Sequence, residues 1–83
     1  MSVTVKYFAS IREAIGVSSE SLVTSAATLA ALRDQLIAQG GAYAESLARG
    51  RSVRMALNQV MSDESTALVD GAEVAFFPPV TGG

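Results

Sequence analysis

Apolar and polar residues alternate in the first segment of the chain, VTVKYF. Val3, Val5 and Tyr7 share one face, while Phe8 points to the opposite face. A period of two is typical of a β-strand that buries one side. The pattern therefore predicts a first strand whose covered face carries the two valines and the tyrosine.

A helical period replaces this alternation in the middle of the chain. Thr28 is a candidate N-cap, and the segment after it, LAALRDQLIAQ, ends before Gly40 and Gly41. Its apolar residues recur at helical spacing and form one stripe. The stripe consists of Leu29, Leu32, Leu36 and Ile37. This segment is predicted to be the main helix, with its stripe in the core.

Two shorter helices are predicted, one on each side of the main helix. ASIREAIG has Ser10 as its candidate cap and Gly16 as its terminator. AYAESLAR places Tyr43 and Leu47 on one side and is closed by Gly50. Tyr43 and Leu47 are expected in the core.

Four further segments have the character of strands: SESLVT, SVRMALN, VMS and AEVAFF. Asn58-Gln59 and Asp70-Gly71 are the predicted turns between them. The order of elements indicates an α+β fold in which a mixed sheet of four or five strands packs on one main helix. Residues 1–83 are predicted to form a single domain, with 78–83 as a protruding tail.

The last predicted strand repeats the asymmetry of the first. If Phe76 faces the core, Phe77 faces outward, on the same uncovered side as Phe8. Met61 extends this apolar patch and Arg12 supplies a polar rim. Exposed apolar patches of this kind mark partner surfaces. The alternative is that short helices or loops of the same chain cover the rings.

Composition narrows the chemistry of the 83 residues. They include no His and no Cys, which removes the commonest zinc ligands, the usual general base and a thiol nucleophile. No metal site is predicted. With a net charge of −2 and scattered basic residues, nucleic-acid binding is not expected. No apolar run approaches the roughly 20 residues that span a bilayer, and no secretion signal precedes the first strand, so a soluble, cytoplasmic protein is expected.

The sequence ends in FPPVTGG, directly after the last predicted strand. Pro78 and Pro79 restrict their own φ angles and those of the residues before them, so the chain leaves the sheet in a defined direction. The four residues from 80 to 83 reach about 13 to 14 Å when extended. Gly82 and Gly83 have no side chains, so this end fits a narrow channel. The alternative is a tail that simply frays.

A terminal carboxylate is a poor electrophile and needs activation, most simply as a mixed anhydride with AMP made by a partner enzyme. Sulfur then replaces AMP and leaves a thiocarboxylate, which is a good nucleophile. This chemistry allows a chain without cysteine to carry sulfur.

The segments KYFASIREAIG, TLAALRDQL, ALNQ and DGAEVAFFPPVTGG together resemble the small-subunit family of molybdopterin synthase, over essentially the whole chain. The resemblance implies the ubiquitin-like β-grasp fold. It implies that Gly83, preceded by Gly82, is adenylated at the expense of ATP by a ubiquitin-activating-like adenylyltransferase. A sulfur donor protein then supplies the sulfur, and Gly83 donates it to cyclic pyranopterin monophosphate to form the dithiolene of molybdopterin.

The resemblance also implies a partner and a contact surface. The partner is the large subunit of molybdopterin synthase, in a heterotetramer with two small subunits. This chain would be the sulfur-donating subunit of an enzyme, with no permanently bound cofactor and no catalytic machinery of its own. The implied contact residues on the body of the protein are Phe8, Arg12, Met61 and Phe77. Those in the tail are Pro78, Pro79, Val80 and Thr81.

Three alternatives remain open on the sequence. One is a sulfur carrier for another pathway, such as thiamine synthesis. Another is a ubiquitin-like modifier that forms an isopeptide bond from Gly83 to a target lysine. The third is an interaction module that docks through Phe8 and Phe77 without using its tail.

Overall fold

The structure is a computed structural model that describes residues 1–79, so the predictions for Val80, Thr81, Gly82 and Gly83 lie outside the described residues. Five strands and three helices follow one another along the chain. In order they are β1 (Ser2–Tyr7), α1 (Ala9–Ile15), β2 (Ser19–Val23), α2 (Leu29–Ile37), α3 (Gly41–Leu47), β3 (Arg54–Leu57), β4 (Val60–Ser62) and β5 (Glu73–Phe77).

The five strands form one mixed sheet in the order β2-β1-β5-β3-β4. The first and last strands lie side by side and run parallel, with Val5 opposite Val74 and Tyr7 opposite Phe76. The remaining neighbours are antiparallel. This arrangement confirms the predicted α+β sheet with β1 and β5 adjacent and the main helix packed on one face.

The main helix α2 begins where its sequence predicts. The Thr28 hydroxyl accepts a hydrogen bond from the backbone N–H of Ala31 at 3.2 Å, which satisfies one of the free donors of the first turn. Leu29, Leu32 and Leu36 are fully buried against the sheet. Ile37, predicted as part of the same stripe, is only partly buried at the edge of the core.

The prediction that Ser10 caps α1 is wrong. Phe8 is the N-cap residue, no side chain caps the helix, and Ser10 lies inside its first turn. The chain instead turns from β1 into α1 at Ala9, whose φ is 51°. Gly16 ends the helix as predicted, with a φ of 94° that favours glycine.

The third strand and the third helix are both shorter than predicted. The third strand occupies Arg54–Leu57 rather than the whole of SVRMALN, because Asn58 and Gln59 both have positive φ and form a tight turn into β4. The helix α3 ends at Leu47 rather than at Gly50. The segment between α3 and β3 is held by side-chain hydrogen bonds rather than by helical ones.

The core lies between the sheet and the three helices, and its largest side chains include Tyr7 and Phe76 from the two central strands. The carboxylate of Glu20 accepts hydrogen bonds from the hydroxyls of Tyr7 and Tyr43, both at 2.7 Å. Burial, together with this carboxylate, raises the pKa of Tyr7 well above its usual value. The hydrogen bond to Glu20 likewise raises the pKa of Tyr43. The core is therefore closed on the side of β2 by a polar cluster whose hydroxyls are kept protonated.

Within residues 1–79, none of the helices has the length and apolar character required to cross a membrane.

Candidate functional site

The candidate site is the sheet face opposite the helices, here called the open face. Strand register places one row of residues on this face, running from β1 across β5 and β3 to β4. The row consists of Lys6, Ala75, Ala56 and Met61. The two alanines are only 6% and 4% exposed, although the helices pack on the other side. Their small side chains form a flat, apolar floor between larger neighbours.

Two aromatic rings stand beside this floor, at the end of the two central strands. Phe8 and Phe77 stack with their centroids 4.7 Å apart and their planes within 11° of parallel. Phe8 remains 39% exposed and Phe77 is half-buried, while Met61 on β4 is 54% exposed. The alternative that loops or short helices cover these side chains is wrong for Phe8 and Met61. Phe8, Phe77 and Met61 thus supply the accessible apolar area of the open face, and the two alanines lie nearly buried among their neighbours.

Positively charged groups surround the apolar surface. Lys6 Nζ lies 3.2 Å from Glu73 Oε1 at its side. Arg12 is exposed one helical turn after Phe8, since its backbone N–H donates to the Phe8 carbonyl at 3.3 Å. Arg54 lies directly opposite Phe77 in the β3–β5 register. The rim therefore has three cations and one carboxylate, whereas the chain as a whole has a net charge of −2.

The tail begins at the same end of the sheet. Phe77 is the last residue of β5, and Pro78 is half-buried while Pro79 is exposed. On the side away from the open face, these prolines line a half-open cleft of about 550 Å³ together with α1, α3 and the segment before β3. The segment before β3 contributes Arg51, Ser52 and Val53 to the lining of this cleft. The root of the tail thus lies between the stacked rings and this cleft.

Some residues of the site were not identified from the sequence. Ala56, Ala75 and Arg54 were not proposed, although the parity that placed Met55 in the core puts both Arg54 and Ala56 on the other face. Lys6 also belongs to the open face by its parity in β1. The alternation therefore indicated that these residues lie on the open face. It could not show that the alanines belong to one surface, because that depends on their neighbours across the sheet.

Apart from the two core tyrosines, the described side chains with clearly shifted pKa values are Asp63 and Arg49. The pKa of Asp63 is lowered by hydrogen bonds from Ser65, and the pKa of Arg49 is raised by its hydrogen bond to Asp34. These shifts have structural causes within turns and surface ion pairs. Residues 1–79 contain no group of three or more His, Cys, Asp or Glu residues that could hold a metal ion. The open face thus combines exposed apolar side chains with a charged rim.

Comparison with known proteins identifies the family. A model of the ThiS family matches residues 5–83. The chain belongs to the ThiS family. Among curated relatives, it is similar to the molybdopterin synthase sulfur carrier subunit of Haemophilus influenzae, with 42% identity over 79 residues, which covers 95% of this chain and 96% of the relative. The resemblance stated from the sequence is confirmed.

Solved structures give the same fold. One from Helicobacter pylori, described as a complex of subunits 1 and 2 of molybdopterin-converting factor, matches with a TM-score of 0.69 and 31% identity over all of both chains. SAMP1 from Haloferax volcanii matches with a TM-score of 0.76 and 27% identity, also over all of both chains. The fold is the ubiquitin-like β-grasp, as predicted.

Proposed function

We propose that this protein is the sulfur carrier subunit of molybdopterin synthase, acting in molybdenum cofactor biosynthesis in the cytoplasm. The observation that carries the proposal is the near full-length identity of 42% to a curated subunit of that name. The geometry supports it, because the tail containing Gly82 and Gly83 follows directly from a strand whose last residue belongs to an exposed apolar surface.

The proposed chemistry takes place at the carboxylate of Gly83. A ubiquitin-activating-like adenylyltransferase joins this carboxylate to AMP from ATP and releases pyrophosphate. Hydrosulfide, released by a sulfur donor protein, attacks the acyl carbon and displaces AMP. The product is a thiocarboxylate, whose sulfur attacks a carbon of the cyclic pyranopterin precursor and forms a thioester. Water then hydrolyses the thioester, so that Gly83 returns as a carboxylate and the sulfur stays on the pterin. Two such transfers complete the dithiolene.

The residues of this chain supply position rather than catalysis. The open face docks on the large subunit of the synthase through Phe8, Phe77 and Met61, with Arg12 at the rim. Docking there brings Pro78 and Pro79 to the partner surface, because Phe77 and Pro78 are consecutive. Val80, Thr81 and the two glycines then extend into the partner's active site, over about 13 to 14 Å. In the working heterotetramer, two small subunits bind a large-subunit dimer.

The composition of the open face explains why it suits a protein partner. The exposed Phe8 and Met61 lose water on docking without leaving polar groups unpaired, and the charges stay at the rim, where they remain hydrated. A partner surface with an apolar centre and acidic groups around it would complement the open face.

A protein modifier is the second candidate, favoured by the similarity to SAMP1, a protein described elsewhere as a small archaeal modifier. In that case the activated Gly83 forms an isopeptide bond with a lysine of a target. The two functions share the activation step and differ in the acceptor. A carrier for a thiamine-type pathway is the third candidate, consistent with the family model alone.

The deciding experiment is the intact mass of the purified protein after incubation with ATP, an adenylyltransferase of this type and a sulfur source. We expect a gain equal to the replacement of one oxygen by sulfur, located in the last residue. A variant lacking Gly82 and Gly83 is the matched control and should show no gain while still binding the large subunit.

Three outcomes contradict the proposal. Absence of the mass gain in the unmodified protein excludes a thiocarboxylate carrier. Covalent adducts with proteins of a lysate, in place of the thiocarboxylate, support the modifier. Delivery of sulfur to a thiazole precursor but not to the pyranopterin supports the thiamine-type carrier.

A further inference from the structure

The least expected residue of the molecule is a buried arginine on the main helix. Arg33 lies among the leucines of α2 and is only 4% exposed. Burying a cation is unfavourable unless good partners replace its water, and an apolar side chain of similar size often stabilises a protein as well. The position of Arg33 therefore calls for an explanation beyond stability.

The partners of Arg33 are mostly backbone carbonyls of one segment. Its Nε donates to the carbonyl of Leu47 at 2.7 Å, and its Nη2 donates to those of Ala48 and Arg51, at 2.7 and 3.0 Å. The remaining contact is from Nη1 to Glu64 Oε1 at 3.3 Å. One guanidinium thus fixes three carbonyls between the end of α3 and the start of β3.

This segment forms one wall at the root of the tail. Two hydrogen bonds tighten it, from the Arg51 N–H to the Ala48 carbonyl and from the Val53 N–H to the Arg51 carbonyl. Arg51, Ser52 and Val53 then line the cleft together with Pro78 and Pro79. The next residue, Arg54, pairs with Phe77 across the sheet.

We infer that Arg33 is a positioning residue for the tail: by holding residues 47–51, it fixes the wall against which the chain leaves β5. The partners of Arg33 are Leu47, Ala48, Arg51 and Glu64, and none of them is proposed to react. Its influence on the reaction therefore passes through this wall. Its fork of donors matches several carbonyls at once, which a lysine ammonium on a flexible stem does not reproduce. This inference rests on the proposed function, because it concerns the delivery of Gly83.

The test compares Arg33→Lys with Gln35→Asn as substrates of the adenylyltransferase. Gln35 is a matched control on the same helix, since its side chain bonds to Thr24 and to the Val23 carbonyl at the end of β2 and donates to none of the three carbonyls. Misplacement of a reacting group by about 1 Å costs up to ~100-fold in rate. We therefore expect kcat for Arg33→Lys to fall about tenfold or more. KM should change less than about twofold, because Arg33 is buried and its substitution leaves the accessible surface of the chain unchanged.

A second control separates positioning from stability. Leu68→Ala removes a buried side chain that does not line the cleft, and reduces stability. Rates are compared per folded molecule, at a temperature where all variants are folded. If Arg33→Lys behaves like Leu68→Ala and Gln35→Asn, or if its KM rises instead of its kcat falling, the inference is wrong.

An NMR measurement requires no reaction at Gly83, so its result does not depend on the proposed function. Backbone amide NMR shifts of Ser52, Val53, Arg54 and Phe77 should move in Arg33→Lys and stay in place in Gln35→Asn. Unchanged shifts overturn the positioning role. A wild-type chain that is not adenylated at all contradicts the proposed function instead, and the NMR comparison still decides the role of Arg33.

Discussion

The two faces of the central sheet are built from the same five strands but differ in burial and in role. On the covered face, Val5, Tyr7, Val74 and Phe76 are almost fully buried against the helices. On the open face, the neighbouring residues in sequence are partly exposed or small, and a charged rim surrounds them. A step of one residue along β5, from Phe76 to Phe77, moves an aromatic ring from the core to the candidate docking surface.

This difference shows how a small domain separates stability from recognition. Because side chains alternate, a strand offers half of its residues to the core and leaves the other half to a partner. The polar groups differ in the same way. Tyr7 has its hydroxyl bonded inside the molecule, whereas the rim cations Arg12 and Arg54 are exposed and make no ion pair with residues 1–79.

The largest expected effect is on the covered face. Phe76→Ala removes a fully buried ring that stacks at 6.2 Å on Tyr7, and should lower the free energy of unfolding by about 3 to 5 kcal/mol. Urea denaturation measures this change. A loss below about 1 kcal/mol would show that the ring contributes little to the core.

Substitution of the next residue, Phe77, should affect partner binding more than stability. Phe77→Ala is expected to weaken binding to the large subunit by about 2 kcal/mol or more, as for a central aromatic anchor. Its effect on unfolding should be clearly smaller than that of Phe76→Ala, because Phe77 packs mainly on Phe8 at the surface. Calorimetric titration measures the affinity, and an unchanged affinity excludes the open face as the docking surface.

The pH dependence of stability should also come from the covered face. The folded protein raises the pKa of Tyr7 and Tyr43 above their usual value of 10.0, so their contribution is complete below pH 10 and is lost as the pH rises further. We expect the free energy of unfolding to fall by about 1.4 kcal/mol per pH unit for each tyrosine that ionises on unfolding. Denaturation between pH 8 and 11.5 measures the slope.

Two variants test the origin of that slope. Tyr43→Phe should reduce it, because one of the two hydroxyls bound to Glu20 is removed. Phe77→Ala, on the open face, should leave it unchanged. An equal slope in Tyr43→Phe and the unmodified protein would assign the pH dependence to other groups.

The smallest effect is expected at the edge of the sheet, on β4. Met61→Ala should weaken binding of the large subunit by about 1 kcal/mol, because Met61 borders the alanine floor rather than its centre. Val60→Ala is the matched control: Val60 is also exposed, but its register partner is Leu57 and it belongs to the other face. Equal effects of the two substitutions would contradict the proposed border of the docking surface.

The sequence predicted much of this structure, because its strongest patterns are local. The alternation in β1 and β5 identified the buried residues and placed Phe8 and Phe77 on the same face. Thr28, Gly16 and the Asn58-Gln59 turn were recognised from the conformations that these residues favour. The capping of α1 was predicted wrongly, since a serine near a helix start is a common cap but Ala9 takes the unusual backbone angle here.

The tertiary structure alone decided what depends on residues far apart in the chain. Only the pairing of β5 with both β1 and β3 brings Ala56 and Ala75 together as a floor, and stacks Phe8 on Phe77. Arg33 was indistinguishable from a surface residue of α2 until its carbonyl partners were known. Periodicity reports which side of an element is buried, whereas packing between elements determines which side chains meet, and a docking surface depends on both.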